Sequence, residues 1–195
     1  MDINDIIETV GGNIKDVKDI VRYCNTNKKY QKICSTKSFW LPIFKKHNLP
    51  ILNNHNNVNE WYMEFIKTLD AEKEAGYTLR YLKRNQSTLL LTTDQHPIVN
   101  DQLIKLVSGY NYYTDVENIE DVDFDVVNDV MKGMYDIESI NIGIFDASIR
   151  SNNKYSLTYI LHDVGVDISY DLSYTELKTY LFKAYYYNLL IPPDY

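Results

Sequence analysis

Apolar residues recur every three or four positions along most of the chain, and this spacing predicts a mainly helical protein. The clearest short helix places four apolar residues on one face: Ile14, Val17, Val21 and Cys24. A polar turn at residues 25–29 follows, and the pattern then resumes toward the aromatic pair Phe39 and Trp40. Because short amphipathic helices gain most of their stability from packing, these pieces must pack on one another or on a partner.

The same spacing continues in shorter pieces through the rest of the chain. Short helices are predicted for four segments: residues 89–93, 122–134, 140–147 and 157–164. A tyrosine-rich acidic loop is predicted over residues 110–118, and a final helix begins at a capping box whose first residue is Ser173. We therefore divide the chain into a helical module of residues 1–70 and a helical C-terminal region of residues 71–195.

Charge is distributed unevenly along this chain of net charge −7. Residues 115–138 hold nine acidic side chains and one lysine, a balance of −8, so the remainder of the chain sums to +1. Between Lys28 and Asn59 there are six lysines and no acid. A concentrated positive surface raises the rate at which an acidic partner is encountered.

Only two cysteines are present, Cys24 and Cys34, and both fall on apolar helix faces. We expect two small buried free thiols, with a disulfide or a two-cysteine metal site as less favoured alternatives. The acidic N-terminal stretch lacks the basic region of a signal peptide, which favours a reducing intracellular compartment. No apolar run reaches the length that a membrane span requires.

The chain carries no motif that predicts catalysis. Asp121, Asp123 and Asp125 imitate the start of a calcium loop, but Val126 and Lys132 stand where that loop needs glycine and glutamate. The four histidines lack the spacing of metal ligands. We therefore expect no catalytic residue, no metal site and no cofactor.

The segment from Ile3 to Phe44 resembles an F-box. The resemblance is carried by Ile6-Ile7, Asp16-Val17, Asp19-Ile20, the run from Cys24 to Tyr30, Ile33-Cys34 and Phe39-Trp40, and it continues into Trp61-Tyr62. With its richness in asparagine and tyrosine, the chain is similar to the F-box-like proteins of large DNA viruses. The resemblance implies a substrate-recruiting subunit of a cullin-RING ubiquitin ligase, which would bind the small acidic adaptor of that ligase in the cytoplasm or nucleus of a host cell.

A weaker resemblance to a single ankyrin repeat lies near the C-terminus. It is carried by residues 145–153 and by the Gly165-Val166-Asp167 turn that follows Leu157 and Val164. The expected fold class is therefore mainly α, with an N-terminal F-box-like three-helix module followed by an irregular or ankyrin-like array of short helices.

These observations favour a non-enzymatic protein-interaction adaptor with two partners. Docking of the first is assigned to apolar faces of the F-box-like module: Ile6, Ile7, Val17, Ile20, Cys24, Phe39 and Trp40. We expect four lysines to attract this partner as it approaches: Lys28, Lys29, Lys32 and Lys37. We assign binding of a second, unknown target protein to Tyr110, Tyr112 and Tyr113. Tyrosine offers a large contact area and one hydrogen bond at low entropic cost.

Two alternatives from other classes remain. In the first, the chain is a structural or virion scaffold protein, and the F-box-like helices are only its core. In the second, the lysines from Lys28 to Lys46 bind nucleic acid. The second is less favoured because Phe39 and Trp40 share the spacing of buried residues, whereas stacking platforms expose their aromatic rings.

Overall fold

Most of the described residues of this chain are helical, which confirms the prediction of a mainly helical protein. The structure is a computed structural model, and it describes residues 17–85, 89–92, 102–103, 105–107, 112–115, 137–145, 154–161 and 167–190. The chain divides into two compact units, residues 1–72 and residues 73–195. Ile6 and Ile7 lie outside the described residues.

The first unit is built from helices. Their bounds are Val17–Cys24 (α1), Lys28–Cys34 (α2), Lys37–Lys46 (α3) and Val58–Asn85 (α4), and the last of these continues past the unit boundary. Asparagine supplies the start of α2, because the Asn27 side chain accepts a hydrogen bond from the Tyr30 backbone N at 2.9 Å. At the start of α4 the Asn57 side chain accepts from the Glu60 backbone N in the same way.

Asparagine also ends α3. Asn48 adopts a left-handed backbone conformation with φ of 56°, and the next N–H, that of Leu49, donates to the Phe44 carbonyl at 2.9 Å. This is a Schellman ending, in which the left-handed position favours glycine or asparagine. The asparagine richness of the chain therefore has a structural use at helix starts and ends.

The core of the first unit is aromatic. Its buried residues are Ile20, Cys24, Cys34, Phe39, Trp40, Phe44, Leu49, Val58, Trp61 and Phe65. The indoles of Trp40 and Trp61 stack with their ring centroids 6.4 Å apart, and Phe44 meets the edge of Trp61 at the same distance. Helices α1 to α4 all contribute side chains to this cluster, so none of them could bury its apolar face alone.

The second unit contains an antiparallel sheet rather than an array of short helices. Its strands are Leu89–Thr92 (β1), Tyr112–Asp115 (β2), Ile137–Phe145 (β3), Lys154–Leu161 (β4) and Asp167–Leu172 (β5). Their order across the sheet is β1-β3-β4-β5-β2. The helices predicted at residues 89–93, 140–147 and 157–164 are therefore wrong where the structure describes those residues, and so is the ankyrin-like array.

The reason for the error is visible in β4. Tyr155, Leu157 and Tyr159 are buried, and they alternate with the half-buried Ser156 and Thr158, which is the period of a strand with one covered face. In the same stretch Ile160 and Leu161 follow Leu157 by three and four residues, and this imitates helical spacing. Tyrosine and isoleucine favour strands, and that preference is the signal that separates the two interpretations.

The final helix is confirmed. It spans Tyr174–Tyr186 (α5) and begins with the predicted capping box, in which Ser173 and Glu176 each accept the other's backbone N–H. The hydrogen bonds to Ser173 also lower the pKa of the Glu176 carboxyl. Helix α5 ends as α3 does, at a left-handed Asn188 with φ of 56°.

Buried tyrosines join α5 to the sheet. The Tyr159 hydroxyl on β4 donates to the Leu103 carbonyl at 2.9 Å and lies 3.4 Å from the Tyr180 hydroxyl on α5. Burial raises the pKa of Tyr159 well above its usual value, and the neighbouring Tyr180 adds to the shift. Burial also raises the pKa of Tyr180.

These shifts predict alkaline destabilisation of the second unit. In the unfolded chain a tyrosine loses its proton near pH 10, whereas buried Tyr159 and Tyr180 keep theirs to higher pH. The unfolded state therefore binds fewer protons, and the contribution of these two tyrosines to the unfolding free energy should be constant below about pH 9 and fall above about pH 10, by up to about 1.4 kcal/mol per pH unit for each tyrosine.

Denaturant titrations followed by circular dichroism from pH 8 upward would measure this slope. Tyr159→Phe should make the slope shallower, while Tyr187→Phe serves as the control because that ring is 45% exposed. Equal slopes in the wild type and in Tyr159→Phe would contradict the assignment.

Candidate protein-interaction surface

Six exposed lysines cover helices α2 and α3. We call them the lysine patch: Lys28, Lys29, Lys32, Lys37, Lys45 and Lys46. Within α2, Lys28 and Lys32 are four residues apart and share one helix side. No acid occurs between Lys28 and Asn59, so the charged side chains of this segment are all basic. The four lysines predicted to steer a partner are thus all at the surface.

The helices that carry the lysine patch are held together where α2 ends and α3 begins. The Trp40 indole N–H donates to the Cys34 carbonyl at 2.7 Å, and the Trp61 indole N–H donates to the Ser35 carbonyl at 3.1 Å. Two successive carbonyls at the end of α2, which the helix itself leaves unsatisfied, are thereby paired with buried tryptophans. The position of α2 relative to α3 and α4 follows from these two bonds.

A disulfide fixes the same junction from the other side. Cys24 at the end of α1 is bonded to Cys34 at the end of α2, with their Cα atoms 6.0 Å apart. Both cysteines are fully buried. The prediction of two free thiols is therefore wrong, although their burial was predicted correctly. Helical periodicity places both residues on inward faces but does not indicate that the faces bring the two sulfurs together.

The residues predicted to dock a partner divide into three groups. Ile20, Cys24, Phe39 and Trp40 lie in the aromatic core, and Trp40 has no exposed surface. Val17 is half-buried and packs against that core. Ile6 and Ile7 lie outside the described residues. A side chain inside the core cannot contact a partner while the unit is folded, so the four core residues support the surface instead of forming it.

Exposed apolar side chains do occur on helices α3 and α4. Leu41 on α3 is 52% exposed and Met63 on α4 is 62% exposed. Leu41 follows the buried Trp40 directly, so helical geometry turns it away from the core. These two residues were missed by the sequence interpretation, which assigned apolar positions to docking by their amphipathic spacing. Both residues interrupt an otherwise polar helix face, and this interruption was the signal in the sequence that could have identified them.

The asparagine-rich loop before α4 is tied to that helix by a buried carboxylate. Glu64 accepts from the Asn53 backbone N at 3.3 Å and lies 3.2 Å from the His55 ring nitrogen Nε2. The His55 ring also meets the edge of Trp61, with ring centroids 5.3 Å apart. A buried carboxylate needs such partners, because an unpaired charge in the interior is costly.

A shallow pocket lies between the disulfide-linked hairpin and the start of α4. It has a volume of about 260 Å³ and is lined by Asn25, Gln31, Ser35, Asn57, Val58 and Asn59. The lining offers amide and hydroxyl groups and no charge. Among the described residues, no three histidine, cysteine or acidic side chains come together to hold a metal ion.

The tyrosines assigned to a second partner lie in the second unit. Tyr110 falls outside the described residues. Tyr112 and Tyr113 belong to strand β2 and pair with Tyr170 and Ser169 of β5. The loop predicted there is therefore corrected to a strand at residues 112–115, and this strand lies at one edge of the described sheet.

Comparison with protein-family models, with curated proteins and with solved structures finds no match to this chain. The F-box resemblance therefore rests on the residues quoted for it. In the part of the chain that the structure describes, no helix combines the length and the apolar character needed to cross a membrane.

The disulfide is expected to stabilise the first unit. Its two cysteines are 10 residues apart. Closing a loop of that size lowers the conformational entropy of the unfolded chain, which raises the free energy of the unfolded state by roughly 3 kcal/mol. Reduction should therefore lower the unfolding free energy by about that amount. Denaturant unfolding followed by tryptophan fluorescence, with and without dithiothreitol, would measure it.

Mass spectrometry after alkylation of the denatured, unreduced protein provides the companion measurement. The paired state predicts that neither Cys24 nor Cys34 is alkylated. Alkylation of both cysteines in protein purified without reductant would show that the bond does not form.

Proposed function

We propose that this chain is a non-enzymatic protein-interaction adaptor whose first unit binds an acidic partner protein through the lysine patch. The observation that carries the proposal is that six lysines on two short helices are all exposed, with no acid among them in sequence. Such a patch creates a local positive potential that attracts an acidic surface over roughly 8 Å at physiological salt.

Rigidity supports the same function. The lysine patch is mounted on helices held by a disulfide and by the indoles of Trp40 and Trp61. A preformed frame loses little conformational entropy when a partner binds. The exposed side chains of Leu41 and Met63 add apolar area that an interface of this kind can cover.

The resemblance to an F-box names the first partner to test. The small acidic adaptor of cullin-RING ubiquitin ligases has the charge that the lysine patch would attract, and the chain would then act as a substrate-recruiting subunit. In this proposal the contacts are made at the surface of α2 and α3. Ile20, Phe39 and Trp40 contribute by holding that surface in place.

A second partner is proposed for the second unit. Strand β2 holds Tyr112 and Tyr113 at the edge of the described sheet. An edge strand can accept an added strand from another protein through backbone hydrogen bonds. The target protein of the adaptor would bind there.

A structural or scaffold role is the second candidate, and a specific observation favours it. The core position of Ile20 and Trp40 is what that role predicts for residues that only stabilise the fold. Nucleic-acid binding by the lysine patch gains no such support, because its neighbours Phe39 and Trp40 are buried and offer no stacking surface.

The adaptor proposal is tested by measuring association with the purified acidic ligase adaptor. The triple variant Lys28→Glu, Lys32→Glu, Lys37→Glu should associate at least about tenfold more slowly than the wild type, because it replaces attraction by repulsion at the point of encounter. Added salt should slow the wild type and have little effect on the variant. Stopped-flow or surface plasmon resonance measurements would give both rates.

The matched control replaces the same three lysines with arginine, which keeps the charge and should keep the association rate. Exposed positions are used because an acid at the buried Ile20 would unfold the unit whatever the function. Equal rates for the glutamate and arginine variants, or a wild type that does not bind, would reject the proposal and leave the scaffold role.

A further inference from the structure

A second basic surface lies on the later half of helix α4, within the unit of residues 73–195. Five exposed residues there form what we call the basic aromatic stripe: Lys73, Tyr77, Arg80, Tyr81 and Arg84. At 3.6 residues per turn they fall within about 100° of one another around the helix axis. The stripe differs from the lysine patch because its aromatic side chains are at the surface.

The cations of the stripe are held on tyrosine rings. The Arg80 guanidinium carbon lies 4.6 Å from the centroid of the Tyr77 ring, and the Lys73 Nζ lies 5.6 Å from the same centroid. Beside the stripe, the Lys83 Nζ lies 4.3 Å from the centroid of Tyr174, at the start of α5. Tyr77 and Tyr174 are each 41% exposed. These cation–π contacts hold the charges in place at the surface before any ligand arrives.

Arg80 lies back along the helix over Gly76. A Cβ atom at Gly76 would be 3.5 Å from one terminal nitrogen of Arg80, so the guanidinium extends back over the preceding turn. In this position one side of the guanidinium rests on Tyr77. A planar cation of this kind binds phosphate through two parallel hydrogen bonds and also offers a flat surface on which a base can stack.

The helix dipole explains only part of this arrangement. Cations near a helix C-terminus are favourable, and this accounts for Lys83 and Arg84. It does not account for Tyr77 and Tyr81, which remain exposed where a polar residue would be better solvated. Exposed tyrosines between cations, with Glu74 the only acid from residue 73 to residue 85, are the combination that single-stranded nucleic acid requires.

We propose that the basic aromatic stripe binds single-stranded nucleic acid. Lys73, Arg80 and Arg84 contact backbone phosphates, and bases stack on the Tyr81 ring and on the outer face of the Arg80 guanidinium, whose other face rests on Tyr77. The contacts are independent of base sequence, because every base presents a π face. An acidic peptide would use the cations alone and would not stack on the exposed ring of Tyr81.

The test uses the full chain and fluorescein-labelled oligouridylate and oligothymidylate of about 12 nucleotides, followed by fluorescence anisotropy from about 50 mM salt upward. The stripe cations together with Lys83 predict that log K falls with log salt with a slope of about −3 at most, since each phosphate neutralised on a single strand contributes about −0.7. The double variant Arg80→Gln, Arg84→Gln should reduce the slope by about 1.4.

Tyr81→Leu separates stacking from charge, because the Tyr77 ring that holds Lys73 and Arg80 is left unchanged. It keeps every cation and should weaken binding about fivefold or more, because base stacking on an aromatic ring contributes roughly 1–3 kcal/mol. The matched control is Lys28→Gln, Lys32→Gln, which removes two charges from the lysine patch and should change neither affinity nor slope. Circular dichroism would confirm that all variants are folded.

Three results would overturn the proposal. The first is no oligonucleotide binding by the wild type at low salt. The second is binding that is lost in the lysine-patch control and kept in the stripe variants. The third is equal affinity for the oligonucleotides and for a labelled polyglutamate of the same charge, which would make the stripe a site for acidic protein.

Discussion

The first unit depends on how two tryptophans meet the end of one short helix. Helix α2 has only seven residues, too few to be stable by itself. Its terminal carbonyls at Cys34 and Ser35 are paired with the indole N–H groups of Trp40 and Trp61, which stack on each other inside the core. Each indole thus combines a large apolar area with a satisfied polar group, and the disulfide from Cys24 fixes the same point.

This arrangement separates aromatic from basic residues in the first unit. The tryptophans and phenylalanines of this unit pack inward, and the lysines of α2 and α3 lie outside. A surface made in this way offers charge and little stacking area, which is why we propose an acidic protein and not nucleic acid as its partner. In the second unit the distribution is different, because Tyr77 and Tyr81 stay exposed among cations while other tyrosines form the interior of the sheet.

The sequence predicted best what short-range interactions decide. The inward faces of α1 to α3 and the capping box at Ser173 depend on neighbours a few residues away, and both were predicted correctly. The sheet depends on pairing between distant strands, and its isoleucine and tyrosine positions also fit helical spacing over short windows. Amphipathic spacing is equally unable to distinguish a core face from a docking face. Ile20 and Trp40 were therefore assigned to a partner although they pack within their own unit.

The central claim is that Trp40 and Trp61 are enclosed in the core and act as its support. They are the only tryptophans of the chain, so tryptophan fluorescence reports on this core alone. The most direct test is acrylamide and iodide quenching of the native protein, compared with the protein unfolded in guanidinium. We predict a blue-shifted emission and weak quenching by both agents in the native state. Native emission that is red-shifted and quenched as strongly as that of the unfolded chain would contradict the account.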